Sequence, residues 1–260
     1  MRLDLYLAER GLAPSRERAK RLILSGAVTL DGHVADKPSL EVTGEPSVTV
    51  IAERFVGRGG EKLAAALTAF GVDPAGMRAL DIGASTGGFT DCLLRAGASR
   101  VVSIDSGEGQ LHEKLVRDSR VINIEHYNAR YLSPLDVGRF DLAVIDVSFI
   151  SQTLILPRIK DILQPEGRVI TLIKPQFEAG RAALNKKGIV KSPRDRAFAV
   201  RRVLSAAAEA SLACVGLAPS PITGGDGNIE YLACFSLSGD PARNHNLAIE
   251  KFVLEGGVCT

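Results

Sequence analysis

The sequence lacks any paired C-x-x-C spacing: its four cysteines, Cys92, Cys214, Cys234 and Cys259, are scattered singly. That speaks against a zinc site and a disulfide framework, so no metal is expected and a reducing cytoplasm is the expected compartment. No stretch approaches the ~20 apolar residues that cross a bilayer. The opening Met1-Arg2-Leu3-Asp4 runs into an amphipathic pattern rather than a signal peptide. Charge of one sign is not in large excess, since the net charge is only +2. What is present is ample core material, with 45% hydrophobic residues in a chain of 260. That length suits one large or two modest domains.

The small net charge hides local concentrations. Residues 180 to 202 carry eight basic side chains against one acid, Asp195. Such a run is either a solvated face or a phosphate-binding patch, and Lys186, Lys187, Lys191 and Arg194 are candidate RNA contacts. A second concentration lies near the N-terminus. Leu3, Tyr6 and Leu7 have helical spacing, and Gly11 suits a C-cap. Ser15 then caps a helix whose buried stripe is Ala19, Leu22 and Ile23, stopped by Gly26. Arg16, Arg18, Lys20 and Arg21 load this helix with positive charge against Glu17. A strand at Ala27 to Leu30, a hairpin signal at Asp31-Gly32 and a strand at Ser47 to Ile51 complete a small unit, residues 1 to 57.

The layout Arg2-Leu3-Asp4, Gly11-Leu12, Ser15-Arg16, Ala19, Leu22-Ile23, Gly26, Val28, Asp31-Gly32 and Lys37-Pro38 resembles the S-four RNA-binding domain. The resemblance implies phosphate contacts by Arg2, Arg16, Arg18, Lys20 and Arg21. Asp31 stands where that pattern more often has Asn, and both residues suit the turn. Val56-Gly57-Arg58-Gly59-Gly60 reads as a glycine-rich linker, with 58 to 60 its centre and Arg58 a further RNA candidate.

From Glu61 onward strands and amphipathic helices alternate, which predicts an α/β domain with a doubly wound, mostly parallel sheet, residues 61 to 260. Strands are expected at 78–82, 101–105, 141–146, 168–173, 212–217 and 230–235. Helices are expected at 110–117, 153–163 and 195–210. The first strand runs into Asp81-Ile82-Gly83-Ala84-Ser85-Thr86-Gly87-Gly88-Phe89, a glycine-rich turn entering a helix, and Asp105 closes the next strand. This is a nucleotide-binding βαβ unit, but the glycine spacing does not suit a pyrophosphate. A carboxylate two residues before the first glycine suits a cofactor with a positive centre, S-adenosylmethionine. Asp105 is placed to hold ribose hydroxyls.

Three charged residues flank apolar strands: Asp146, Lys174 and Glu230. A fourth, Lys62, follows the glycine linker. Each alone could mark where a strand meets water; together they form a set suited to ribose chemistry. A ribose 2′-hydroxyl must lose its proton near the moment of attack. A lysine can take it once burial and a second cation destabilise the ammonium, while carboxylates hold the lysines in place and oppose that shift.

The chain resembles the TlyA (haemolysin-A) family, an S-four domain joined to an FtsJ-type methyltransferase domain. The resemblance rests on Arg58-Gly59-Gly60-Glu61-Lys62-Leu63, the Asp81 to Thr90 turn, Asp146-Val147-Ser148-Phe149-Ile150-Ser151, Ile173-Lys174-Pro175-Gln176-Phe177-Glu178 and Glu230-Tyr231. It implies a ribosomal RNA 2′-O-methyltransferase, typically acting on cytidine, whose partner is ribosomal RNA or a ribosomal subunit. It also implies a tetrad of Lys62, Asp146, Lys174 and Glu230, with Lys174 as proton acceptor, and Asn128 near the adenine. Gly57 and Ser106 depart from the family pattern, which more often has Ser and a Val-Gly pair there; neither touches the tetrad. Phe149 suits stacking on a base or packing in the core. The alternatives are a base-directed amino-group methyltransferase, a membrane-active haemolysin-like protein, and an RNA-binding protein with an inactive methyltransferase domain.

Overall fold

In the computed structural model, residues 1–24, 26–50, 54–224 and 227–255 are described. Ile51 of the expected strand, Gly225 and Asp226 before Glu230, and Cys259 lie outside them. Contacts divide the chain into Met1–Arg54 and Phe55–Thr260.

In the first unit, α1 (Leu3–Glu9) and α2 (Arg16–Leu24) precede β1 (Val28–Leu30), β2 (His33–Val34) and β3 (Val48–Val50). Ser15 Oγ accepts the Arg18 N–H at 3.2 Å, which satisfies one orphan donor at the start of α2. Asp31 and Gly32 both take positive φ, 49° and 81°, so the turn twists with the strands it joins and pairs Leu30 with His33. The sheet order is β2-β1-β3, all antiparallel. Leu3, Leu7, Ala19, Leu22, Ile23 and Val28 form its core.

The second unit contains α3 (Gly59–Phe70), β4 (Arg78–Ile82), α4 (Gly88–Arg95), β5 (Arg100–Ile104), α5 (Glu113–Val116), β6 (Val121–Ile124), α6 (Pro134–Val137) and β7 (Phe140–Ile145). There follow α7 (Leu156–Ile162), β8 (Leu163–Ile173), α8 (Pro175–Glu178), α9 (Pro193–Glu209), β9 (Ala213–Pro219), β10 (Tyr231–Ser236) and α10 (Ile249–Glu255). The sheet runs β6-β5-β4-β7-β8-β10-β9. The neighbours from β6 through β8 pair parallel, and β10 runs antiparallel between β8 and β9. Period-two alternation sends Leu80, Ile82 and Ile145 to one face, with α7, α9 and α10, and Ala79, Val144 and Leu172 to the other, with α3 and α4. Each fully buried aliphatic side chain contributes roughly 1.5–3 kcal/mol.

The expected linker at 58 to 60 is instead helix: Gly59 and Gly60 form the first turn of α3. The cause is packing. Phe55 is buried in the core of the second unit, Val56 N–H donates to Asp91 Oδ2 at 3.0 Å, and a Cβ on Gly60 would overlap the Phe55 ring. A Cβ on Gly57, the position where the family more often has Ser, would lie 2.9 Å from Thr86 Oγ1. The helix expected at 110–117 shrinks to α5, and β6 and α10 are additions to the sequence reading. β6 is a half-exposed edge strand, so it lacks the apolar run that marks the central strands.

The sheet order changes direction at β4 and β7, so a crevice opens at their carboxyl ends, where ligands bind in doubly wound folds. Reversal of β10 has a further effect. Tyr231 pairs with Ile173, so the residue before β10 arrives at the same edge as the residue after β8. A parallel β10 would carry Glu230 to the opposite edge.

Candidate active site

The turn after β4 is shaped by positive φ at Gly83 (84°), Ser85 (48°) and Gly87 (93°). Gly83 is required twice over: its φ is left-handed, and a Cβ there would lie 2.6 Å from the Asp146 carbonyl oxygen. Gly83 and Ala84 N–H groups both donate to Ile104 O, which ties the turn to β5. Gly59, Gly83, Ala84, Ser85, Thr86, Gly88, Phe89, Asp146, Ser148 and Lys174 line a cleft of about 180 Å³. The glycine turn and half of the expected tetrad therefore share one cavity.

Asp81 is fully buried behind this turn. Its Oδ2 accepts from Thr90 Oγ1 at 2.6 Å, and Thr90 also contacts Ser103 Oγ at 2.7 Å. Oδ1 has no hydrogen-bond partner among the described residues. Burial pushes the carboxyl up to about 7, against the Thr90 bond and assisted by Asp146 and Asp105. Asp81 lies behind the turn and outside the cleft lining; the acid that lines the cleft, and so fits a ligand that brings positive charge, is Asp146. Asp105 has both oxygens engaged by the backbone, accepting from Ser85 N–H at 2.9 Å and Gly107 N–H at 2.8 Å. Asn128 lies in the loop after β6, where its side chain accepts from Arg130 N–H. Of the expected cofactor residues, Asp81, Gly87, Asp105 and Asn128 do not line the described cleft.

The tetrad residues come from four elements and form two ion pairs. Lys62, in the first turns of α3, meets Glu230 at 2.5 Å, both side chains almost wholly buried. Lys174, at the end of β8, lies 2.6 Å from Asp146 at the end of β7. That contact is off hydrogen-bond alignment, and Asp146 Oδ1 counts as unsatisfied despite it. Lys174 Nζ instead donates to Ser148 Oγ at 2.9 Å. Lys174 and Asp146 face the cleft, while Lys62–Glu230 sits outside its lining. Ser148 is a site residue that the sequence reading assigned no role.

Phe149 follows with 91% of its surface exposed, φ of 64°, and its ring 5.2 Å from that of Phe177. It is not a core residue.

The basic candidates divide by environment. Arg2 and Arg16 are half-exposed and both donate to the buried Asp4, whose carboxyl they hold down at about 2, the Arg2 hydrogen bond being the largest cause. Lys20 pairs with Glu17 at 2.7 Å, Arg18 is half-buried, and Arg21 and Arg58 are exposed. Lys186, Lys187, Lys191 and Arg194 are exposed. The first two lie in a loop closed by the Leu184–Val190 bridge and held by Asn228, which accepts Val190 N–H and donates to Gly188 O. The rest of that basic run includes structural members: Arg196 donates to Tyr231 Oη, Arg201 pairs with Glu250, and Arg202 donates to Glu178 O. Among the described residues no helix is long and apolar enough to cross a membrane.

The family model for FtsJ-like methyltransferases matches residues 55–237, and that for the S4 domain matches residues 1–46. The chain is 44% identical over 256 residues to the "Putative rRNA methyltransferase YqxC" of Bacillus subtilis, covering 97% of this chain and 91% of that one. It is 41% identical over 262 residues to the 16S/23S rRNA (cytidine-2′-O)-methyltransferase TlyA of Mycobacterium tuberculosis, covering 98% of each. A solved structure described as "Putative hemolysin from Streptococcus thermophilus" superposes with a TM-score of 0.76 at 39% identity, covering 98% of this chain and 94% of the other. With both family models matched in order along one chain, and the glycine turn and tetrad residues assembled as described, this protein belongs to the TlyA (haemolysin-A) family of FtsJ-like methyltransferases with an N-terminal S4 domain.

Proposed function

We propose that the protein methylates the ribose 2′-hydroxyl of a cytidine in ribosomal RNA, using S-adenosylmethionine. The observation that carries this reading is Lys174, paired with Asp146 and opening into the cleft beneath the glycine turn. The relatives named as ribosomal RNA methyltransferases support the polymer and the acceptor atom.

The cofactor would be held by the Gly83 to Phe89 turn, with Asp81 behind it and Asp105 and Asn128 toward the nucleoside; it supplies an electrophilic methyl group. The chain's own work is alignment and proton transfer. Lys174 accepts the 2′-hydroxyl proton as the oxygen attacks, and Asp146 holds its Nζ at the cleft. Lys62, fixed by Glu230 outside the cleft lining, adds positive charge to the surroundings of the site. Phe149, exposed beside Ser148, offers its ring to the target base. The cations of α2 and those at Lys186, Lys187, Lys191 and Arg194 take RNA phosphates. The reading is tested by methylating ribosomal RNA with the protein, digesting to nucleosides and identifying them by mass spectrometry. A ribose-methylated cytidine is expected, and methyl on the base would overturn the reading.

A further inference from the structure

Glu178 is a buried acid that the proposed chemistry does not use. It is 1% exposed, at the end of α8. Both carboxylate oxygens are engaged: Oε2 accepts from Ser151 Oγ at 2.6 Å and Oε1 from Gln152 N–H at 2.8 Å. Its own carbonyl accepts from Arg202 Nη1 of α9 at 2.9 Å. Gln152 extends the network into β8, donating to Leu172 O and accepting from Thr171 Oγ1, each at 2.6 Å. The far end of the Asp146 to Gln152 segment is thereby fastened to the strand and turn that carry Lys174.

That segment needs fastening. Phe149 holds a left-handed backbone at φ 64°, a strained conformation for a bulky residue. Such a conformation persists only where the surroundings over-determine it. Ile145 and Asp146 anchor one end through β7 and the Asp146 N–H bond to Ile82 O. The other end is anchored by the Glu178 carboxylate, which holds Ser151 and the Gln152 backbone, together with the Gln152 side chain on β8. Between them stand Ser148, which accepts from Lys174 Nζ, and Phe149.

We propose that Glu178 is a positioning residue: it clamps the 146–152 segment so that Ser148 and Asp146 hold Lys174 in its reactive place. The kinetic part rests on the methyl-transfer reading above; the clamp itself does not. Glu178→Gln can keep the geometry, since an amide oxygen accepts from Gln152 N–H and the Ser151 hydroxyl can rotate to accept from the amide nitrogen. Glu178→Ala cannot.

The test is amide hydrogen exchange across residues 146–152 in full-length protein, with methyl transfer to ribosomal RNA measured in parallel. Glu178→Ala should speed exchange in this segment by about tenfold or more while other regions of the sheet stay protected. It should lower kcat by about tenfold with the cofactor KM unchanged, and Glu178→Gln should restore most of both. Unchanged exchange in the folded Glu178→Ala protein would overturn the clamp. Faster exchange with unchanged kcat would overturn its positioning role. Should the wild-type protein transfer no methyl, the methyltransferase reading falls and the exchange result alone decides the clamp. Should Glu178→Ala not fold, Ser151→Ala removes one donor and leaves the carboxylate. Faster exchange at the same segment then supports the clamp, and unchanged exchange overturns it.

Discussion

Two fully buried aspartates, one in each unit, have been driven in opposite directions. Asp4 receives hydrogen bonds from two guanidinium groups, which hold its carboxyl at about 2. Asp81 receives one hydroxyl, leaves an oxygen unpartnered, and is pushed up to about 7 by burial. Both are shut off from solvent, but Asp4 lies just beneath arginines that are half in water whereas Asp81 lies deep in its unit; donors and depth together set the sign. A saturated acid serves as scaffold, and Asp4 uses its charge to orient two arginines at the surface. A half-satisfied acid is costly to keep, and Asp81 sits wholly enclosed behind the glycine turn. The same contrast holds for cations: those of the first unit remain largely in solvent, whereas Lys62 and Lys174 are drawn inside and paired.

The sharpest test of that contrast is Lys174→Ala. Loss of a buried, paired cation at the cleft should lower methyl transfer by roughly 10³-fold or more, while cofactor affinity by calorimetry changes little. Retained turnover would remove Lys174 as the base. Next in size is charge reversal at two neighbouring cations of α2, Lys20→Glu with Arg21→Glu. RNA affinity should fall by about tenfold or more, and its dependence on salt should flatten by roughly one to two ion equivalents. Unchanged affinity would mean that α2 does not contact phosphate.

Asp81→Asn probes the comparison itself. A carboxyl raised in the folded state binds a proton that the unfolded chain has already released between the ordinary aspartate value of ~3.9 and about 7. Its contribution to stability therefore declines as pH rises through that window. Asp81→Asn should melt higher than wild type above pH 7, with the difference shrinking toward pH 4, and should bind S-adenosylmethionine about tenfold more weakly. A lower melting temperature at pH 8 would contradict the assignment. Asp4→Asn should behave oppositely and more mildly. Its carboxylate stabilises the fold above the ordinary aspartate value, and that contribution is lost as pH falls toward about 2. The variant should lower the melting temperature of the first unit by about 5 °C at neutral pH. The two arginines are half in water, which limits the effect.

The parts of the fold legible in the sequence are those governed by local chemistry. The Asp31-Gly32 turn, the Ser15 cap and the Gly83 turn each need particular residues at particular backbone angles, and those residues stand in the sequence. The central strands show as apolar runs. Reversal of β10 was not legible, because a run of apolar residues carries no sign of its direction; yet that reversal brings Glu230 to the Lys174 edge. The glycines at 59 and 60 read as a linker because their partners, Phe55, Phe89 and Asp146, are distant or hidden in sequence. The Glu178 network was invisible for the same reason, joining residues 26 and 27 positions apart. Pairing of Arg2 and Arg16 through Asp4 likewise depends on the fold of α1 against α2.

The central claim is that a buried lysine at the carboxyl edge of the sheet deprotonates a ribose hydroxyl of RNA. It is tested most directly by nucleoside mass spectrometry of ribosomal RNA treated with wild-type protein and with Lys174→Ala in the presence of S-adenosylmethionine. The account predicts 2′-O-methylcytidine from the wild type and none above background from the variant. A methylated base, or equal ribose methylation by both proteins, would contradict it.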